Sequence, residues 1–83
     1  MLQKQLGRKI AELRHTRKLT QEQLAEAVGC SVEFVSLVER GVNAPSVAGL
    51  ANFAKALKVE IRDLFTFQGK SQNGSIPKGN AGE

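Results

Sequence analysis

The 83-residue chain is sized for one domain that buries roughly 60–65% of its unfolded surface, and with no Trp or Tyr and only four Phe its core must be built from Leu, Val, Ile and Ala. No run approaches the ~20 apolar residues of a membrane span and the opening MLQKQLGRKI has no signal-peptide stretch, so a soluble cytoplasmic protein is expected. Cys30 is the only cysteine and His15 the only histidine, which excludes an intrachain disulfide and a Cys-based zinc site and gives no reason to expect a metal or cofactor; the net charge of +4 fits a polyanion partner without demanding one.

Leu6, Ile10 and Leu13 recur at i, i+4 and i+7 among Lys4, Arg8, Lys9, Glu12 and Arg14, the pattern of an amphipathic helix, placed at about Leu2 to Arg17. Thr20 and Gln23 form a T-x-x-Q capping box whose side chains satisfy free backbone donors, so a second helix starts at Gln21. Leu24, Ala25 and Val28 give it an apolar face, and Gly29 supplies the left-handed residue that ends it. Ser31 caps a third helix, which turns Val35 and Val38 inward and stops at Gly41. In VNAP, Asn43 favours a turn and Pro45 biases Ala44 away from helix.

Ser46 caps a fourth helix with Val47, Leu50, Ala51, Ala54 and Leu57 as its expected buried stripe. Beyond KVE a short fifth helix, IRDLF, is expected to close the core with Ile61, Leu64 and Phe65. After Phe67 the run QGKSQNGSIPKGNAGE keeps Ile76 as its one large apolar residue, too little burial to offset ordering entropy. The expected organisation is therefore a domain over residues 1–67 and a disordered polar tail over 68–83.

Charge is unevenly spread: residues 1–18 sum to +5, residues 19–45 to −3 and residues 46–83 to +2. The third helix is not itself basic. Two short helices joined through a Gly-containing turn are the helix-turn-helix unit, and the positions between them have packing reasons. Ala25 is small where the helices cross, Gly29 takes positive φ, and Leu24, Val28, Cys30, Val35 and Val38 fill the angle. Cys30 is read as a packing residue and His15 as a solvated side chain complementing a helix C-terminus.

TQEQLA, VS-x-V-ERG, NAPS and L-x-x-x-AKAL-x-V occur in that order, and with them the chain resembles the Cro/C1-type, or XRE-like, helix-turn-helix family of phage repressors and bacterial transcription regulators over about residues 4–66. The resemblance implies an all-α fold, a compact five-helix lambda-repressor-like DNA-binding domain. It also implies roles. Gln21 matches a Gln that hydrogen-bonds a DNA phosphate, helped by the positive end of its helix. Arg14 and Glu39 match a structural ion pair tying the first helix to the end of the third. The base-facing positions fall on Ser31, Val32, Glu33, Ser36 and Leu37. Lys18 stands where relatives often carry a helix-ending Gly, at a cost on the order of 1 kcal/mol if it is left-handed.

Val32 and Leu37 cannot make bidentate base contacts but can pack on a thymine methyl, and Glu33 can accept from cytosine N4. Phosphate anchoring is expected from Gln21, Arg40, Asn43 and the backbone N–H groups of the loop after the third helix, with Arg8 or Arg17 joining only if they face the duplex. The leading expectation is a sequence-specific regulator of transcription, a repressor or controller, bound to double-stranded DNA as a homodimer through the region Val59 to Phe67. Its location would be cytoplasmic and nucleoid-associated, with no small-molecule effector. The alternative is a protein-interaction module on the same fold, such as an antitoxin or adapter, in which Val32, Phe34 and Leu37 dock a partner. An enzyme has little support, there being no nucleophile and base at a useful spacing and no Gly-rich phosphate loop.

Overall fold

Hydroxyl caps at Thr20, Ser31 and Ser46 cut the chain into helices. In the computed structural model, which describes residues 2–67, α1 runs Leu2–Thr16, α2 Gln21–Val28, α3 Val32–Glu39 and α4 Val47–Leu57. The tail expected over residues 68–83 lies outside the described residues. Each cap oxygen accepts a backbone N–H of the first turn: Thr20 from Gln23 at 3.0 Å, Ser31 from Phe34 at 3.1 Å and Ser46 from Gly49 at 3.1 Å. The Gln23 side chain returns a bond to the Thr20 N–H at 2.8 Å, completing the capping box.

Helix ends turn through left-handed residues. Gly29 has φ 89° and lets the N–H groups of Gly29 and Cys30 reach the Ala25 carbonyl. Lys18 and Lys58 do the same for α1 and α4 at φ 59° and 61°, without glycine's freedom, so each carries the Cβ strain of that region. Lys18 is thus left-handed, the case in which a cost relative to Gly was expected. The equivalent role of Lys58 had no counterpart in the sequence reading.

The core is one cluster of Leu6, Ile10, Leu24, Ala25, Val35, Val38, Phe53, Ala54, Leu57 and Leu64. Leu13, Leu19, Val28, Cys30 and Phe34 pack around it. Two expectations are corrected. On α4 the buried stripe is rotated: Phe53 is fully buried, whereas Val47 is 79% exposed and Ala51 is also exposed. A Phe ring carries more apolar surface than Val47 or Ala51, so the helix turns Phe53 inward and leaves Val47 at its solvent-facing first turn. The expected fifth α-helix is a 3-10 turn at Ile61–Phe65. Five residues are too few to repay α-helix nucleation, and only Leu64 enters the core while Ile61 and Phe65 remain 40% and 37% exposed.

α1 comes close to the end of α3 at Gly7. A Cβ there would strike the Val38 carbonyl oxygen and stand 2.7 Å from the Glu39 carbonyl oxygen. Both are backbone atoms, so no side chain can swing away. Gly7→Ala is therefore expected to lower stability by about 1–3 kcal/mol through overpacking, read as a fall in thermal midpoint of roughly 4–8 °C for each kcal/mol. An unchanged midpoint would show that α1 and α3 do not meet this closely.

Candidate nucleic-acid interface

The inner face of α3 is anchored by Val35 and Val38, and α3 packs chiefly on α1 and α2. Its C-terminal end is fastened a second time. Arg14 of α1 donates Nε to Glu39 Oε2 at 2.7 Å and Nη2 to Oε1 at 3.2 Å, while its Nη1 reaches the Leu19 carbonyl at 2.9 Å. Gln21 of α2 donates Nε2 to Glu39 Oε1 at 3.0 Å. The Arg14 and Glu39 side chains are only 11% and 7% exposed, so the pair is largely withdrawn from water.

The N-terminal end of α3 is left open. Ser31, Val32 and Glu33 are exposed, and one turn further Ser36 and Leu37 are half-buried on the same side. Ser31 Oγ is engaged as the cap of α3. Its hydroxyl hydrogen remains able to donate outward. Among the described residues Glu33 takes part in neither ion pair.

At the opposite end, beyond Glu39, Arg40 and Asn43 have exposed side chains, and Gln21, bonded to Glu39, is half-buried. The side-chain amide of Gln21 has a second N–H beyond the one given to Glu39, and the backbone N–H groups of Gln21 and Glu22 have no intrahelical partner by helix geometry. The loop after α3 is different from expectation: the N–H groups of Arg40, Gly41, Val42 and Asn43 already donate to the Ser36, Val38, Leu37 and Leu37 carbonyls. These four donors serve the turn, which removes them as phosphate anchors. Arg17 is also occupied, donating Nε to the Leu57 carbonyl at 2.9 Å and Nη2 to the Lys58 carbonyl at 3.3 Å, where it closes the end of α4. Arg8 lines a shallow cleft with Gln5, Lys9, Glu12 and Phe67.

Cys30 is half-buried behind the turn, and burial pushes its thiol above the usual value. That is a packing environment, not that of an activated nucleophile. Three contacts that hold this surface in place did not follow from the sequence reasoning. Gly7 carried a signal, being an isolated glycine in a helical pattern; the Arg17 contact with α4 and the Gln21 bond to Glu39 carried none.

Two helices joined through a left-handed Gly, the second fastened at its C-terminal end and open at its N-terminal end, define a helix-turn-helix domain. The chain belongs to that family: the helix-turn-helix domain family matches residues 5–65. An uncharacterised HTH-type transcriptional regulator of Mycobacterium tuberculosis is 40% identical over 63 residues, 76% of this chain but 45% of that protein. One from Sinorhizobium fredii is 37% identical over 65 residues, 78% of this chain and 84% of that protein. Thus the chain spans under half of one relative and most of another. Among solved structures, the restriction-modification controller protein C.AhdI from Aeromonas hydrophila superposes with a TM-score of 0.73 at 37% identity, covering 75% of this chain and 94% of that one. The clp gene regulator ClgR from Corynebacterium glutamicum reaches 0.75 at 31% identity, covering 77% of this chain and 68% of that one.

Removing the Glu39 carboxylate leaves the Arg14 guanidinium nearly buried without its partner. Glu39→Ala is expected to cost about 3–5 kcal/mol, the usual range for one half of a buried pair, measured by urea denaturation. A loss below the value of a surface pair, about 1 kcal/mol, would reject the network as the fastening of α3.

Proposed function

We propose that this protein is a sequence-specific DNA-binding regulator of transcription, a repressor or controller, acting as a homodimer on a two-fold operator with α3 in the major groove. The observation that supports this most is the asymmetry of α3: fixed along its inner face and at Glu39, open at Ser31, Val32 and Glu33. Helix-turn-helix proteins touch base edges with the N-terminal residues of the second helix. The relatives named as transcriptional regulators support the same reading.

The chemistry of base reading follows from the side chains. Glu33 accepts from cytosine N4, Val32 and Leu37 pack on thymine methyls, and Ser31 and Ser36 bond a base edge or a phosphate. Between Val32 and Glu39 there is no Arg, Lys, Asn or Gln, so the bidentate pairs that each contribute about 1–3 kcal/mol of discrimination are missing. Selectivity then leans on methyl contacts and duplex shape. Gln21, Arg40 and Asn43 supply phosphate contacts from the fastened end of α3.

One such domain makes few contacts, and two copies related by a two-fold axis would place two reading helices about 34 Å apart. Ile61 and Phe65, exposed beside the edge-on ring contact of Phe65 with Phe67 at 6.3 Å, offer the apolar seam for the second copy. Phe65→Asp is expected to give a monomer by sedimentation and to weaken operator binding while the helices still form. A wild-type chain that sediments as a monomer at micromolar concentration would remove this seam.

An apolar reading helix also suits a protein partner, and salt separates the two cases. Binding to duplex DNA is expected to fall with log salt at a slope of about −0.9 for each phosphate neutralised, several in all. A flat response favours the adapter reading. Within the DNA reading, Gln21→Ala should weaken all sequences alike and Glu33→Ala should change preference at one base pair. Selection from a random duplex pool that returns the same site for Glu33→Ala as for the wild type would remove Glu33 from base reading.

A further inference from the structure

We propose that the surface formed by Val32, Glu33 and Leu37 recognises 5-methylcytosine, so that cytosine methylation within the bound site tightens the complex. The proposal rests on α3 reading the major groove and names the base chemistry that its tip fits.

Glu33 and Leu37 are four residues apart on α3, so their Cβ atoms lie one above the other at about 5–6 Å on one face of the helix. Val32 precedes Glu33 at the first helical position and is 37% exposed. The tip thus presents one carboxylate bordered by aliphatic atoms. Glu39, the other acidic residue of α3, receives three donated hydrogen bonds, whereas Glu33 is exposed and, among the described residues, engages no ion pair. A carboxylate carried toward a polyanion is repelled unless a donor on the base meets it.

The four ordinary bases satisfy this tip only in part. Cytosine offers the N4 amino donor to the carboxylate, but only a hydrogen at C5. Thymine offers the C5-methyl to Val32 or Leu37, yet its O4 acceptor faces the carboxylate with like polarity. A single base carrying both an amino donor and the neighbouring methyl is 5-methylcytosine. It satisfies the acidic and the aliphatic atoms together, on the edge that a major-groove helix faces.

The test uses the full chain and two random duplex pools, one synthesised with cytosine and one with 5-methylcytosine. A duplex selected from the methylated pool is remade with plain cytosine, and both forms are titrated by fluorescence anisotropy. Loss of the methyl is expected to weaken binding about fourfold at each cytosine read, the value of one buried methyl. Val32→Ala, a change at an exposed position checked for retained helix content, should shrink that ratio, each variant's methylated duplex being compared with its own plain duplex. Glu33→Gln should lower the preference for both forms of cytosine over thymine. Plain and methylated duplexes bound alike, or a methyl effect undiminished in Val32→Ala, would overturn the proposal while sequence-selective binding keeps the DNA reading in place. No binding to any duplex in dilute buffer would remove both.

Discussion

Glu39 ends α3 with a carboxylate that Arg14 reaches from α1 and Gln21 from α2, so three helices meet at two oxygen atoms. The site is nearly closed to water, and a charge withdrawn from solvent is tolerated only where donors replace the water it gives up. Arg14 satisfies that demand with a geometry Lys could not supply, since its planar fork places two N–H groups on the carboxylate and turns a third toward the Leu19 carbonyl. The carboxylate also belongs to a residue whose backbone α1 approaches closely. Gly7, which tolerates no Cβ against Val38 and Glu39, sets how near the helices come, and the ion pair sets their register along each other.

Fixing α3 at one end determines what the other end can do. Packing at Val35 and Val38 holds the axis, and the Glu39 network prevents the helix from sliding along it. Ser31, Val32 and Glu33 are therefore presented in one orientation without touching the core themselves. Such pre-organisation lowers the ordering cost of any partner that docks there. Gln21 serves twice at the fastened end: its side chain belongs to the fastening of α3, while its backbone stands in the open first turn of α2. A phosphate bound at that turn would be positioned by the same bonds that aim the reading helix.

Much of this was legible because it is local. Thr20 with Gln23, Ser31, Ser46 and Gly29 are caps and stops whose chemistry acts within a few residues, and the helix boundaries at α2 and α3 followed from them. Val35 and Val38 were legible from spacing alone. The rotation of α4 was not, because Val47, Ala51 and Phe53 compete for the same interior and only the space left by α1 and α2 decides that the ring wins. Ile61 and Phe65 were misplaced for a related reason: a five-residue segment satisfies a helical pattern too easily, and a 3-10 turn puts a single residue, Leu64, into the core. Arg17 on the end of α4 is separated from its acceptors by 40 and 41 residues, a distance at which no spacing rule speaks.

The basic first segment illustrates how net charge and contacts differ. Of its six cations, Arg14 is matched by Glu39 and Arg17 is turned onto the carbonyls of Leu57 and Lys58, so the nominal +5 overstates what is free to meet a polyanion. The remaining field can steer a duplex toward the domain, but it carries no sequence information. In the proposed function, discrimination falls to a short helix without bidentate donors, so each half-site would contribute little. Free energies from separated contacts add approximately, so two copies on a symmetric site would square the selectivity ratio that one copy achieves. For a reading surface this sparse, doubling the domain would be a more effective route to selectivity than enlarging it, and the exposed apolar pair Ile61 and Phe65 is the seam proposed for it.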